Sequence, residues 1–460
     1  MLFNSYLYIL AFLPLTLAVF FFVSARGAGW KPQVVLVGAS LFFYAYWDVV
    51  FLPVLLASIG LNFFCSRVIW LAPTASMRRN ALIAGITTNL FLLGYFKYVD
   101  FAIQNINSLF GTSFGPSGIQ LPLGISFFTF TQIAFLVDTY RRLASRPSLV
   151  NYALFVSYFP HLLAGPILHH REMMPQFEDP KNWSLSYENF ARGLFLFSLG
   201  LAKKVLIADN LSPIVSEGYD SAHQWQAIDA WLISLAYTLQ LYFDFSGYTD
   251  MAIGASLMFN IRLPINFNSP YKAFSIQDFW RRWHMTLSRF LREYLYIPLG
   301  GSRWGEARTV TSILVTFLLG GLWHGAGWTF VVWGALHGLA LCCQRLWAKL
   351  GMRLPRWNAW VLTFLFVNLT WVYFRAPSVD IAHDLLEGMC GLRGMGSLHF
   401  GTLETMLVAL GFALVVIGRN SNQLAGEMLC RFRTAGATSL LLVASVFSIS
   451  ETTEFIYFNF

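Results

Sequence analysis

Apolar stretches recur along almost the whole chain, separated by short polar turns. They fall at about 2–23, 33–50, 51–71, 81–97, 120–138, 187–208, 225–243, 309–323, 326–343, 357–374, 403–418 and 436–450. About 20 apolar residues in a helix cross the hydrocarbon core of a bilayer. Most of these stretches are that long or nearly so, and the shorter ones predict tilted or re-entrant helices. No strand-type alternation, low-complexity tract, short repeat or linker interrupts the series. The pattern predicts an all-α polytopic membrane protein, one integral domain over residues 1–460, with about 10–12 transmembrane helices plus re-entrant and interfacial helices.

The polar turns set an orientation. Arg26/Lys31, Arg67/Arg78/Arg79 and Arg141/Arg142/Arg146 follow the first, third and fifth stretches, and Arg345/Lys349/Arg353/Arg356 and Arg419/Arg431/Arg433 continue the series. The intervening turns carry Asp48, Asp100, Asp209, Glu217 and Asp220. Cytoplasmic loops concentrate Lys and Arg, so both the N-terminus and the C-terminal 451–460 are expected outside. The first stretch lacks a basic n-region and is too long for a cleavable core, so it reads as a retained span.

Composition sharpens the class. Of 460 residues 56% are apolar and 17% aromatic, while charged residues make up only 12%, about half the usual fraction. A water-soluble globule, a disordered chain, a collagen and a disulfide scaffold are all excluded. The net charge of +8 is first a topology signal, and with no helix–turn–helix, zinc-finger or RNA-binding signature it does not imply nucleic acid. The five cysteines (Cys65, Cys342, Cys343, Cys390, Cys430) have no C-x-x-C spacing and read as buried free thiols.

Two regions are neither spans nor ordinary loops: Tyr158–Glu178, and the aromatic, arginine-rich Arg262–Arg308. In the second, Ser275–Arg292 predicts a helix opened by a capping box of Ser275 and Asp278. At 100° per residue, Phe279, Trp280, Trp283, Leu287, Phe290 and Leu291 share one arc, and Gln277, Arg281, Arg282, Ser288, Arg289 and Arg292 share the other. That is an interfacial amphipathic helix with His284 on its seam. The structural reading is a membrane-surface anchor; the functional one is a cavity-lining histidine beside arginines that hold a phosphate-bearing donor, Arg281 and Arg282 first.

A stronger signal is Gly320-Gly-Leu-Trp-His324-Gly-Ala-Gly-Trp328 between two apolar runs. Histidine at membrane depth is costly and usually faces a cavity. Glycines let backbone or substrate approach closely, and a neutral imidazole suits a general base for acyl transfer. The alternative for His324 is an interhelical hydrogen bond. His337, about 220° around from His324 on a continuous helix and inside the small-xxx-small stretch Gly334–Gly338, reads as packing. Asp244 and Asp250 in Tyr242–Asp250 read as structurally paired, although Asp244 is also placed to orient a histidine. His169-His170 does not read as a metal site, because adjacent residues point apart on a helix and no acidic ligand pattern accompanies them; no metal is expected. Without a G-x-S-x-G, Walker or dinucleotide fingerprint, a serine hydrolase, ATPase or redox enzyme is not indicated.

Several motifs together resemble the membrane-bound O-acyltransferase family, in its bacterial branch of alginate O-acetylation membrane proteins. They are Leu93-Gly-Tyr-Phe-Lys97-Tyr, Leu123-Gly-Ile-Ser-Phe127, Phe159-Pro-His-Leu-Leu-Ala-Gly-Pro166, Gln240–Tyr248, Phe279-Trp-Arg-Arg-Trp-His284, Tyr294–Gly301, Gly320-Gly-Leu-Trp-His-Gly325 and the closing 455–460. Trp-Arg-Arg-Trp-His followed by Gly-Leu-Trp-His-Gly is the most specific pair. By this resemblance His324 matches the family's essential intramembrane histidine. His284 matches the second catalytic-motif position, which is Asn in many eukaryotic members. The likeness implies a helical ring around a central tunnel open to both faces, with a catalytic core at about 120–345. At Gln132-Ile-Ala-Phe135 the chain departs from a pattern that tends to carry Ser-Tyr.

The resemblance implies an O-acyltransferase moving acetyl from a cytoplasmic thioester, acetyl-CoA or an acyl carrier, toward an exported polysaccharide. His324 would be the base, and His284 would assist or position the acyl carbonyl. No permanently bound cofactor is expected. Expected partners are the bilayer, the donor, a periplasmic acetyltransferase and the polysaccharide export machinery, at a bacterial inner membrane. The competing readings are a proton-coupled transporter or flippase without covalent chemistry, and a scaffold that recruits enzymes.

Overall fold

The computed structural model describes residues 1–27, 31–221, 223–428, 431–449 and 455–456; Cys430 and most of the closing motif lie outside them. Twelve long helices fall on the twelve apolar stretches. They are α1 (Tyr8–Ala25), α2 (Lys31–Ala45), α3 (Leu52–Leu71), α4 (Ala75–Phe110), α5 (Ile125–Tyr140), α6 (Tyr187–Ala202), α7 (Ala227–Met258), α8 (Glu306–His324), α9 (Trp328–Lys349), α10 (Arg356–Arg375), α11 (Thr402–Ile417) and α12 (Phe432–Phe447). No strand occurs among the described residues.

Length and hydropathy together qualify four of these as spans, α1, α3 (with the preceding turn), α4 and α10, and a fifth if α11 and the 57°-bent Ser421–Glu427 cross as one. Of the remainder, α5, α6 and α12 have only 16 residues each, and α7 carries Asp229, Asp244 and Asp250. Helix count therefore exceeds the count of self-sufficient spans. At 36 residues α4 is about 54 Å long at 1.5 Å per residue, well beyond a bilayer core. Thr74, whose hydroxyl accepts from the Met77 amide, and left-handed Gly111 fix its ends.

The chain divides into two compact units. One is built mainly from Met1–Phe197 with Met251–Pro264. Inside it, Asn62 on α3 and Asn89 on α4 exchange side-chain hydrogen bonds at 3.2 and 2.6 Å, a polar clasp where water is absent. Gly85 lets α4 close on its neighbours, since a methyl there would sit 2.6 Å from Leu136 of α5. Gln132, where the family pattern is broken, is fully buried. It donates to the Ser58 hydroxyl at 2.8 Å and accepts from the Tyr152 hydroxyl at 3.2 Å, so one amide holds two neighbouring hydroxyls.

The other unit is built mainly from Ser198–Asp250 and Ile265–Leu429. Its centre is the α8–α9 hairpin. A Cβ on Gly321 would lie 2.3 Å from the Phe330 carbonyl oxygen, and one on Gly334 would lie 2.4 Å from that of Phe317, so only glycine permits this crossing. Glu306 at the opening of α8 takes both Arg345, at 3.0 Å, and Lys349, at 2.6 Å, and locks the far end of the hairpin. On α7, Asp244 binds Lys204 at 2.8 Å and accepts from the Ile456 amide at 3.0 Å, while Asp250 binds Lys203 at 2.6 Å. Asp244 thus pairs with a lysine and a backbone amide, not with an arginine or a histidine.

Four cysteines are described, none in a disulfide. Cys65 and Cys342 are half-buried, whereas Cys343 and Cys390 are exposed, which corrects the expectation of buried thiols. Cys343 lies on a lipid-type apolar face with Leu336, Leu339 and Phe366, where exposure does not mean water.

Candidate active site

The segment Ser275–Arg292 is not one helix. Only half of the expected capping box forms: Ser275 Oγ accepts from the Asp278 amide at 3.1 Å, but the Asp278 carboxylate accepts from the Phe274 amide at 3.2 Å and not from that of Ser275. The helix Ile276–Trp280 then stops, and a second, Met285–Phe290, begins after His284. His284 itself adopts a left-handed conformation, φ 42° and ψ 54°, which costs a residue with a Cβ about 1–2 kcal/mol.

Asn266 makes that conformation hold. Its carbonyl accepts from the Met285 amide at 3.0 Å, and its side-chain Oδ1 accepts from the Thr286 amide at 3.2 Å and the Thr286 hydroxyl at 3.0 Å. Asn268 adds its own amide to the Arg282 carbonyl at 2.9 Å. The extended 266–268 strip thus satisfies the backbone groups that a continuous helix would have paired internally. Sequence reasoning missed Asn266; its signal was two asparagines between Pro264 and Pro270, in a segment that cannot itself be helical.

The apolar arc of the segment faces protein, not lipid. Phe279, Trp280, Trp283, Leu287, Phe290 and Leu291 are all buried, and His284 is wholly inaccessible, so the membrane-surface anchor is excluded. His284 Nδ1 lies 3.2 Å from Asn266 Oδ1. The Thr286 amide can only donate, so that Asn266 atom is an oxygen, and an oxygen can only accept here. Nδ1 therefore carries the proton, and in the neutral ring the lone pair sits on the buried Nε2.

His324 ends α8 at the tip of the hairpin and is 3% exposed. Trp323, Trp333 and Phe374 surround it at ring-centroid distances of 4.9, 5.1 and 5.2 Å. The His284 ring stands 6.4 Å away, and Phe245 meets His284 edge-on at 4.9 Å. The structure thus brings together the two histidines that the sequence singled out, in a buried aromatic box.

His337 is occupied on both sides. The Trp280 indole donates to its Nδ1 at 3.2 Å, which places the ring proton on Nε2, and Nε2 donates to the Thr370 hydroxyl at 3.1 Å. The Thr370 hydroxyl in turn donates to the Val367 carbonyl at 2.9 Å. This chain fastens the Ile276–Trp280 helix to α9 and α10, and leaves neither nitrogen for a substrate.

The two candidate donor-binding arginines separate. Arg281 lines a cleft of about 860 Å³ together with Arg292, Arg345, Lys349, Gln277 and Ser288. Arg282 instead binds Asp278 at 2.9 Å and reaches the Asn268 carbonyl, which makes it part of the scaffold around the break. Trp280 and Phe317 form the inner wall of the cleft, and Trp280 packs at 5.8 Å on Trp333, the ring beside His324. The cleft is cationic at its rim and aromatic at its base, and ends one side chain from the histidine pair.

His169 and His170 do not diverge. His169 precedes the helix His170–Glu178 in an extended conformation, and both Nε2 atoms lie 3.0 Å from one oxygen, Asp138 Oδ2. Adjacent residues share a direction here because only one of them is helical. Burial lowers the basicity of His170, against the pull of the Asp138 hydrogen bond.

The sequence profile of the membrane-bound O-acyltransferase family matches residues 90–378. The chain is 45% identical to the peptidoglycan O-acetyltransferase of Helicobacter pylori, over 100% of this chain and 98% of that protein. It is 41% identical to the probable alginate O-acetylase of Pseudomonas aeruginosa, over 90% of this chain and 81% of that one. A teichoic acid D-alanyltransferase of Bacillus subtilis is 29% identical over 53% of this chain and 66% of its own length.

Proposed function

Since the chain belongs to the membrane-bound O-acyltransferase family and is a multi-pass membrane acyltransferase, we propose that it moves an acetyl group from a cytoplasmic thioester across the bacterial inner membrane for O-acetylation of an exported glycan. Family membership sets the transporter and scaffold readings aside. The observation that carries the proposal is the convergence of His284 and His324 in a buried aromatic box, one side chain from a cleft rimmed by Arg281, Arg292, Arg345 and Lys349. Such a rim suits the phosphates of coenzyme A or of a carrier's phosphopantetheine, and the aromatic base suits the pantetheine arm. Full-length likeness to a peptidoglycan O-acetyltransferase makes peptidoglycan the first acceptor to test, ahead of alginate.

In this reading His324 is the general base. A hydroxyl, on the glycan or on a periplasmic partner transferase, attacks the thioester carbonyl. Its proton passes to His324, the C–S bond breaks, and the proton leaves on the thiol, so ester and free thiol are the products. His284, with its proton held on Asn266, offers Nε2 as an acceptor. That suits assisting by holding a hydroxyl or thiol; positioning the acyl carbonyl would require a donor.

The experiment is acetyl transfer in oriented membrane vesicles, with labelled acetyl-CoA supplied on the face carrying Arg345 and Lys349 and a glycan acceptor on the other. Alkali-labile label on the acceptor supports the reading. Label that appears only as free acetate, with or without acceptor, contradicts it.

A further inference from the structure

We propose that Asp138, His169 and His170 form a binding site for a divalent transition-metal ion, zinc by preference, that clips the end of α5 to the short helix His170–Glu178. It stands apart from the acyl-transfer reading, and none of its residues belongs to the candidate active site.

The three ligand atoms lie within 4.8 Å of one another. Both imidazole Nε2 atoms converge on the same carboxylate oxygen at 3.0 Å, although the residues are neighbours in the chain. Tetrahedral zinc with ligands at about 2.0–2.1 Å sets its ligands roughly 3.3 Å apart, so the two imidazole–carboxylate distances need shifts of a few tenths of an ångström, while the two imidazole nitrogens, within 4.8 Å of each other, close by up to about 1.5 Å as the ion enters. Two imidazoles and one carboxylate form a borderline set that favours zinc over magnesium or calcium.

The ligands are also held in place. Asp138 and His170 are nearly inaccessible, with side chains 4% and 3% exposed, and Phe135 packs edge-on against His170 at 5.5 Å. The Leu143 and Ala144 amides bind the Asp138 backbone carbonyl, and Arg171 reaches the Leu143 carbonyl at 3.3 Å, which ties both ends of the site to one turn. Arg141 approaches the other carboxylate oxygen, at 4.0 Å, and leaves Oδ2 to the histidines. His169 is the more open ligand, at 13% exposure, and marks the entry path and the side on which a water completes the coordination.

Binding exchanges contacts at both rings. Each imidazole Nε2 now donates to Asp138; with the ion on Nε2, each ring carries its proton on Nδ1. For His169 this gives up the 3.3 Å hydrogen bond that its Nδ1 accepts from the Arg171 amide. The carboxylate needs no change.

The test uses full-length protein in detergent, freed of any polyhistidine tag, equilibrated with zinc chloride and desalted. We expect close to one zinc per chain by mass spectrometry, a melting temperature that falls with a chelator and recovers with zinc, and with cobalt(II) the visible absorption of a four-coordinate site. His170→Gln and Asp138→Asn should lose the metal, while His324→Ala should keep it, so failure of this proposal and failure of the acyl-transfer reading are distinguishable. Wild-type protein without zinc, whose melting temperature ignores chelator, would overturn the proposal and leave a hydrogen-bonded clasp. If the variants do not fold, the wild-type chelator response and cobalt spectrum decide.

Discussion

The imidazole rings of His284 and His324 stand 6.4 Å apart, centroid to centroid. One is held at a break between two short helices, the other at the tip of a helical hairpin. The separation is too large for the rings to bond one another directly, and small enough for one reacting group to touch both. Everything described around them serves that placement: Asn266 holds the break, and Gly321 and Gly334 hold the hairpin.

Asn266→Ala removes the acceptor that fixes the His284 tautomer and two bonds to Thr286. Leaving buried donors without a partner costs about 1–3 kcal/mol each. The expected outcome is acyl transfer at least tenfold slower, with the donor KM little changed. An altered KM with normal turnover would contradict the role.

Arg281→Ala and Arg282→Ala should differ. Loss of a charge-assisted contact to phosphate is worth about 1.5–3 kcal/mol, or roughly ten- to a hundredfold in affinity, so donor KM rises for Arg281→Ala. Salt should weaken donor binding to wild type and less so to that variant. Arg282→Ala, whose partner is Asp278, should lower stability and leave the KM of folded enzyme near wild type. Titrating donor in initial-rate assays separates the two.

His337→Ala breaks the chain from Trp280 to Thr370. Its expected signature is a lower melting temperature, from a loss of about 1–3 kcal/mol, with activity per folded molecule within about threefold of wild type. A folded, stable, inactive protein would instead assign His337 to the chemistry.

Gly334→Ala puts a methyl against the Phe317 carbonyl oxygen. Overpacking of this kind costs about 1–3 kcal/mol. Thermal unfolding in detergent should show it, and Gly38→Ala, where the methyl meets nothing, should not.

The sequence disclosed the helices far better than it disclosed their joints. All twelve apolar stretches became helices because burial of apolar side chains and internal pairing of backbone groups act locally, within one segment. His324 was legible for a related reason, since an imidazole and four glycines inside an apolar run contradict their surroundings. The break at His284 was not legible. It depends on Asn266, distant in sequence, and periodicity continues across it, so the arc of apolar residues was drawn correctly while its partner was mistaken for lipid. Arg281 and Arg282 could not be told apart either, because the break, not the helical wheel, decides which one enters the cleft. That His169 and His170 converge on Asp138 was hidden by the same assumption of continuous helix.

The role proposed for His324 is to carry acyl transfer to an exported glycan. The most direct measurement is O-acetyl ester content of the glycan in a deletion strain complemented with wild type or His324→Ala at matched membrane levels. A general base contributes about 10²–10⁴ in rate, so wild type should restore the esters and the variant should leave them at the level of the uncomplemented strain. Equal restoration by both would contradict it.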